Sequence, residues 1–452
     1  MWGINRNPMK FWSDFCKNND SNIGLIPYYF ISDLIYFAGL VLLRDRIAET
    51  FYPGLNGEHI LIGAPQVRAI YQKKSLRKKT PFVQSILRPF CYQELIYMAM
   101  RCIASPGDHV IAPFPAYQSL YANLTSIGCD VGKWEPTLVE NEENVKNSPN
   151  GGCKKCVVAR WRFSLADLRR LVKPETKVLV VNFPHNPTGA VLDPKEYEEL
   201  VEFCREKRIS LFCDEMYQYL KDDCKGNSNN LDDDGSNLPS HVPACVVYEK
   251  ATTLCGLSKS FSLPGLRIGW LASKDFPLMK KMKSFKDYLS ICSSAPSEVL
   301  GLIAVRNAPL ILGCNRLILA HNLPKLVAFF AKWPLDFVFP RGSAGTTTFV
   351  KIISDGPLAR SLKRMIVEGK IKLESDEGDS AGRESSGRGI ASAFCSELLR
   401  RKNVLLLPAA EYDGFRDDYF RLSLARKDMD VGLAEWTKFM DEIHREGCPE
   451  HM

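Results

Sequence analysis

Short, almost continuously apolar runs separated by longer stretches of helical character set the rhythm of this chain. KVLVVNF (177–183) predicts a strand, DPKEYEELVEFCREKR (193–208) a helix, and ISLFCDE (209–215) a second strand. Together they form a strand, crossover helix, strand unit. Strands apolar at nearly every position imply a sheet covered on both faces, and such parallel-rich sheets bind ligands at the carboxyl ends of their strands. The residues that matter are therefore expected just after each apolar run. Three stretches, 140–152, 221–240 and 374–389, are too rich in Gly, Ser, Asn, Asp and Glu to supply a core, and are expected to be surface loops.

The rhythm fails once. In LIGAPQVRAIYQKKSLRKKTPFVQSILRPFCYQELIYMAM (61–100) the apolar pattern breaks after Gln66 and resumes at Glu94. The 27 residues between, Val67 to Gln93, hold seven Lys or Arg and no Asp or Glu. They account for the whole net charge of +7, because the other residues carry 59 − 7 = 52 basic groups against 52 acidic ones. Only Tyr71 lies near the KKSLRKK core and no binding motif accompanies it, so neither nucleic acid nor membrane is expected as a partner.

Ile23 to Leu43 is the one membrane candidate, but Pro27 and Asp33 interrupt it and Arg44, Asp45 and Arg46 continue it. Buried sequence is the expectation there. With 452 residues, 45% apolar and 25% charged, the chain suits a globular protein of one large and one smaller domain. Its 15 cysteines form no framework and no secretory leader is recognisable, which points to a reducing, cytoplasmic setting. The single CxxC, Cys153 to Cys156, lacks the second pair that a structural zinc needs.

The strand ends carry the chemistry. After KVLVVNF come His185 and the turn Asn186, Pro187, Thr188, Gly189; after ISLFC come Asp214 and Tyr217; after VVYEKATTLC comes GLSKSFSLPGLRIGW (256–270). Singly, these read as a turn, a helix cap and a solvated lysine. Jointly, an amide, a carboxylate, a phenol, a lysine and an arginine at successive strand ends make a site for an electron-sink cofactor. The lysine forms a Schiff base, and the acid keeps a pyridine nitrogen protonated. That cofactor is pyridoxal 5'-phosphate.

Gly256, Ser258, Lys259, Gly265, Arg267 and Gly269, together with NPTG and the Asp214-x-x-Tyr217 spacing, resemble the class I/II pyridoxal-phosphate-dependent aminotransferases of fold type I, the aspartate aminotransferase superfamily. The resemblance runs from about Gly39 to Met429. It implies that Lys259 is the Schiff-base lysine and proton shuttle, that Asp214 partners the pyridine nitrogen, and that Tyr217 and Asn186 bond the cofactor O3′. It further implies that Ser258 and Arg267 hold the phosphate, that Phe114 in APFPAYQSLY stacks on the ring, and that Arg421 in YFRLSLA grips the substrate α-carboxylate beside Asn186. Relatives run from a strand through a short turn, here Gly63, Ala64 and Pro65, straight into a helix whose first N–H groups hold the phosphate.

Removing residues 67–93 restores that arrangement as ILIGAPQELIYMAM. Val67-Arg68 can be encoded as a splice-donor-like sequence and Phe90 to Gln93 as a pyrimidine-rich acceptor, so the segment reads as a retained, in-frame intron. Sequencing spliced transcripts across the junction tests that reading. Translated, the segment is expected to weaken cofactor binding. Position 256 is Gly where several relatives have a phosphate-binding Ser. The family's N-terminal arm is not recognisable before Gly39, with Tyr36 the only candidate for the tyrosine that reaches a neighbouring subunit.

The resemblance implies an α/β fold: a large domain with a mostly parallel seven-stranded sheet, then a smaller α+β C-terminal domain. Residues 1–38 would form the arm, 39–300 the large domain, and 301–452 a long linking helix near 296–333 followed by the small domain from about Leu335. It also implies a homodimer that moves an amino group between an amino acid and a 2-oxo acid. Two other outcomes stay open: elimination, cyclisation or oxidation of an amino acid at the same site, and a catalytically silent homologue. Lys286 and Tyr288 neighbour the region where a substrate side chain would lie.

Overall fold

A computed structural model describes residues 38–64, 94–145, 154–220, 242–342, 344–371, 389–413 and 415–446. The N-terminal arm with Tyr36, Pro65, the basic segment 67–93, Cys153 and the polar stretch 221–240 lie outside them.

Helix α1 (Val41–Phe51) leads into β1 (Ile60–Gly63), and α2 (Glu94–Ile103), β2 (His109–Pro113), α3 (Ser119–Ile127) and β3 (Asp130–Trp134) follow. A hairpin of β4 (Thr137–Val145) and β5 (Lys154–Arg162) precedes α4 (Leu165–Leu171) and β6 (Thr176–Asn182). Next come α5 (Pro194–Lys207), β7 (Ser210–Asp214), α6 (Ala244–Val247), β8 (Ala251–Gly256), β9 (Gly269–Ser273) and α7 (Phe276–Lys286). The seven-stranded sheet has the order β1-β9-β8-β7-β6-β2-β3. Strands β8, β7, β6, β2 and β3 run parallel, while β9 is antiparallel to both its neighbours.

The continuous apolar runs have the cause expected of them. Val178 and Val180 of β6 enter one core with Leu95 and Leu124, whereas Leu179 and Val181 enter another with Tyr197 and Leu200. Each face of the strand is thus buried under helices, and each such side chain contributes about 1.5–3 kcal/mol. Between β6 and β7, α5 starts where Asp193 accepts the Glu196 N–H at 2.9 Å and Glu196 accepts the Asp193 N–H at 3.0 Å. That reciprocal cap, with Pro194 in the first turn, fixes where the crossover begins.

Two expectations need correction. The polar loop assigned to 140–152 is strand as far as Val145, because β5 offers an antiparallel ladder from Lys154 to Arg162 that satisfies the backbone of a polar partner. Cys156 lies in that ladder. The linking helix near 296–333 is two helices, α8 (Ala295–Arg306) and α9 (Ala308–Phe330), meeting at 76°. Pro309 in the first turn of α9 cannot donate the hydrogen bond that would continue α8. Among the described residues no single helix is long and apolar enough to cross a membrane.

The C-terminal part contains β10 (Phe337–Val338), β11 (Thr347–Ile352), α10 (Pro357–Val367), α11 (Ile390–Lys402), β12 (Leu407–Pro408), β13 (Tyr419–Ser423) and α12 (Met429–Glu446). Its antiparallel sheet, β10-β11-β13-β12, closes over a separate core with Phe337, Phe394, Phe420 and Trp436 at its centre. The architecture is therefore α/β, a mostly parallel seven-stranded sheet with a small antiparallel C-terminal sheet.

Candidate active site

Backbone and side-chain bonds first tie the strand ends together. Asn182, the last residue of β6, donates from Nδ2 to the Asp214 carbonyl at 2.9 Å and accepts the Asn186 N–H on Oδ1 at 2.9 Å. One amide thus fixes the end of β7 and the NPTG turn relative to β6. Within that turn His185 pairs Nδ1 with Thr188 Oγ1 at 2.7 Å, and burial pushes its imidazole down to about 3, so it stays neutral.

Asp214 is almost wholly buried, and Oδ1 accepts the Met216 N–H at 3.1 Å. Burial pushes its carboxyl up to about 7, against the opposing pull of that N–H and of the nearby Lys259 charge. Burial likewise raises the adjacent Glu215 to about 8, although the Tyr197 hydroxyl donates to it at 3.3 Å. Lys259 follows β8 and is half-buried. Its loop is anchored to the turn after Asp214 by Ser260, whose hydroxyl donates to the Met216 carbonyl at 2.9 Å. The lysine and the carboxylate are thereby placed on neighbouring, mutually bonded turns.

The small domain completes this group. Arg421 of β13 donates from Nη1 to Asn186 Oδ1 at 3.2 Å, and its charge opposes the burial that raises the Tyr217 and Tyr412 phenols. The segment before β11 lies across the same place, with Ala344 N–H on the Gly189 carbonyl at 2.9 Å and Gly345 N–H on the Leu220 carbonyl at 2.6 Å. Gly345 has φ +83°, and a Cβ there would stand 3.2 Å from Tyr217 Cβ.

Among the buried polar atoms around this group without a hydrogen-bond partner among the described residues are two donors, Ser258 Oγ and Arg267 Nη2. Arg267 uses Nη1 on the Pro264 carbonyl at 3.0 Å and holds a left-handed φ of 57°. Unpaired buried donors are costly, so an anion that accepts from both fits the site. A buried carboxyl that ionises only at about 7 fits a cationic ring nitrogen equally well. On these observations the residues present fit pyridoxal phosphate.

Two of the expected cofactor contacts have protein partners of their own. Phe114 is a core ring, edge-on to Tyr121 and Phe415, with the Lys133 ammonium 3.7 Å from its centroid. Tyr117, three residues on, has a half-buried phenol that feels the charges of both Asp214 and Arg267. Both rings belong to APFPAYQSLY, the stretch that follows β2. At the end of β1, the Ala64 N–H already donates to Glu94 Oε2 at 2.9 Å, and Gly63 is so close to α2 that a Cβ would meet Leu95 Cδ2 at 2.7 Å. Lys286 is fully buried against Glu94, and Tyr288 is 88% exposed.

Comparison with known proteins agrees with this geometry. The family model described as aminotransferase class I and II matches residues 69–304, slightly more than half of the chain. Capreomycidine synthase from Streptomyces vinaceus is 26% identical over 317 residues, 68% of this chain and 72% of the synthase. Aspartate aminotransferase from Sulfolobus acidocaldarius is 30% identical over 262 residues, 56% of each chain, so the match spans little more than half of that relative. In three dimensions, a pyridoxal-phosphate-dependent aminotransferase from Streptococcus suis superposes with a TM-score of 0.63 at 24% identity, over 97% of this chain and 88% of that one. A lysine and a buried aspartate at the strand ends of this sheet, an arginine brought to Asn186 from the small antiparallel sheet, and a family model matching more than half of the sequence, lead to one conclusion: the chain belongs to the class I and II aminotransferase family, fold type I enzymes that depend on pyridoxal phosphate.

Proposed function

We propose that the protein is an aminotransferase that moves an amino group between an amino acid and a 2-oxo acid, using pyridoxal phosphate bound through Lys259. The observation that carries this reading is the meeting of Lys259, buried Asp214 and the Arg421–Asn186 pair at adjoining strand ends. When bound, pyridoxal phosphate supplies an electron sink for the substrate Cα.

The protein's own groups do the rest. Asp214 holds the charge partner of the ring nitrogen, a role in which its buried carboxylate is stabilised rather than penalised. Ser258 and Arg267 hold the phosphate with their unpaired donors, and Tyr117 covers the ring. Arg421 binds the substrate carboxylate. Asn186, whose Oδ1 is engaged by Arg421, keeps Nδ2 to donate toward the cofactor, so substrate and cofactor orientation share one side chain. The Lys259 amine takes the proton from Cα and returns it.

A homodimer is part of this proposal. Val299, Leu300 and Ile303 stand together on an exposed face of α8, and Leu310 and Leu317 of α9 are 69% and 63% exposed. An apolar stripe of that length suits burial against a second copy.

Similarity to capreomycidine synthase supports a second reading, in which the same site labilises Cα of an amino acid for cyclisation or elimination. One experiment separates the two. The purified protein is titrated with pyridoxal phosphate while its visible absorption is followed, with Lys259→Ala as control, and is then given a panel of amino acids with and without a 2-oxo acid. Amino acid formed from the added oxo acid, dependent on Lys259, is the expected result. Turnover that ignores the oxo acid supports the second reading, and absence of a Lys259-dependent band overturns both.

A further inference from the structure

The site contains an ion pair with no assigned role. The chain leaves β1 at Ala64 and returns at Glu94, with 29 residues (65–93) between. Yet the two ends touch: the Leu95 N–H points to the Ala64 carbonyl at 3.4 Å, and the Ala64 N–H donates to Glu94 Oε2 at 2.9 Å. Covalent continuity across so long a connection cannot set the position of one end against the other, so side chains must.

Glu94 does so through its other oxygen. Oε1 accepts from Lys286 Nζ at 2.7 Å and from the Ser290 hydroxyl, while Lys286 Nζ lies 2.7 Å from Ser290 Oγ. Lys286 is fully buried and the Glu94 side chain is 10% exposed. The ammonium sits at the C-terminal end of α7, where the helix dipole favours a cation. Its charge also reaches buried Glu298, whose Oε2 accepts the Leu40 N–H at 2.6 Å. α7 packs along α2, with the Tyr97 and Phe285 rings 6.0 Å apart, so Lys286 has a rigid platform from which to act.

We propose that Lys286 is a positioning residue for cofactor phosphate: through Glu94 it pins the Gly63–Ala64 turn against the first turn of α2, and so shapes the wall that the phosphate meets. The inference rests on the cofactor reading above and names no contact between Lys286 and the cofactor. A direct phosphate ligand would leave its ammonium free to face the site, whereas here two hydrogen-bond partners, Glu94 Oε1 and Ser290 Oγ, and a second carboxylate, Glu298, surround it.

The test compares pyridoxal phosphate with pyridoxal, which lacks the phosphate, by absorption titration of the full chain. Lys286→Met is expected to raise the Kd for pyridoxal phosphate at least tenfold and leave that for pyridoxal unchanged, and Lys286→Arg is expected to restore much of the loss. Should Lys286→Met fail to fold, the double variant Glu94→Leu with Lys286→Met leaves no buried charge unpaired and carries the same expectation. Equal losses for both ligands, or no loss for either, overturn the proposal. Wild-type protein that binds neither ligand through Lys259 instead overturns the cofactor reading, so the two failures are distinguishable.

Discussion

In the protein without cofactor, Asp214 ionises at about 7 instead of 3.8, because burial penalises its charge more than Lys259 and the Met216 N–H relieve it. Between those values the folded chain keeps a proton that the unfolded chain has released, so stability falls as pH rises through the window. The slope is about 1.4 kcal/mol per pH unit, and the full cost above pH 7 is about 4 kcal/mol. Asp214→Asn keeps the shape and removes the charge at every pH. Urea unfolding of cofactor-free wild type and variant at pH 5, 6, 7 and 8 should therefore show the variant gaining on wild type. The gain is about 2 kcal/mol at pH 5 and about 4 kcal/mol at pH 7 and above. Glu215 titrates in both proteins, and because the Asp214 charge is one of the causes that raise it, its relief in the variant adds to the gain in the same direction. A difference that does not change with pH would refute the claim that Asp214 is held uncharged by burial. The same variant should lose Lys259-dependent turnover, making stability and activity move in opposite directions.

Tyr117→Ala should weaken binding of pyridoxal phosphate by roughly tenfold, the upper end of what one aromatic contact contributes. Phe114→Ala should leave that affinity unchanged and instead cost about 3 kcal/mol in urea unfolding, as truncation of a core ring does; the reverse pattern would restore Phe114 as the stacking residue. Deleting residues 67–93 shortens the connection between Ala64 and Glu94 from 29 residues to two, and loop-closure entropy then stabilises the fold by about 2 kcal/mol, read as a higher urea midpoint. A lower midpoint would mean that the segment contributes contacts of its own. Leu300→Arg with Ile303→Arg should convert a dimer to a monomer in light scattering, and an unchanged mass would place the dimer contact elsewhere.

The legible parts of this fold were those where one local pattern had one physical cause. β6, α5 and β7 could be read because a strand buried on both faces loses its alternation and a capped crossover keeps its helical spacing. That Asn186, Asp214 and Lys259 come to adjoining strand ends could be read because each lies at or just past the end of such a run. What sequence could not show depends on partners far along the chain. Glu94 and Lys286 are 192 positions apart and nothing near either member announces the other, while Asn186 and Arg421, 235 apart, were expected together only through the family resemblance. β4 was misread because its backbone obeys β5 rather than its own polar composition. The bend between α8 and α9 has a local signal, Pro309, that the apolar run around it obscured.

Several of the terms that oppose folding lie at the strand ends. Two adjacent carboxyls, Asp214 and Glu215, are buried at a cost, and Ser258 Oγ and Arg267 Nη2 find no partner among the described residues. Arg267 also occupies left-handed backbone space that a residue other than glycine rarely adopts without cause. A core of this size tolerates such costs, but nothing in the packing of the sheet requires them to lie together. A ligand with a cationic ring nitrogen at one end and a phosphate at the other relieves the burial of Asp214 and the two unpaired donors at once: the nitrogen favours the charged Asp214 carboxylate, and the phosphate accepts from Ser258 and Arg267. Glu215 gains nothing from it, since its carboxyl faces Tyr197 on the other side of the strand end. The unfavourable terms that a bound cofactor would cancel are thus separable from one it would not, and the pH dependence of Asp214→Asn set against that of Glu215→Gln, with and without pyridoxal phosphate, distinguishes them. Cofactor should abolish the pH-dependent advantage of the first variant and leave that of the second intact.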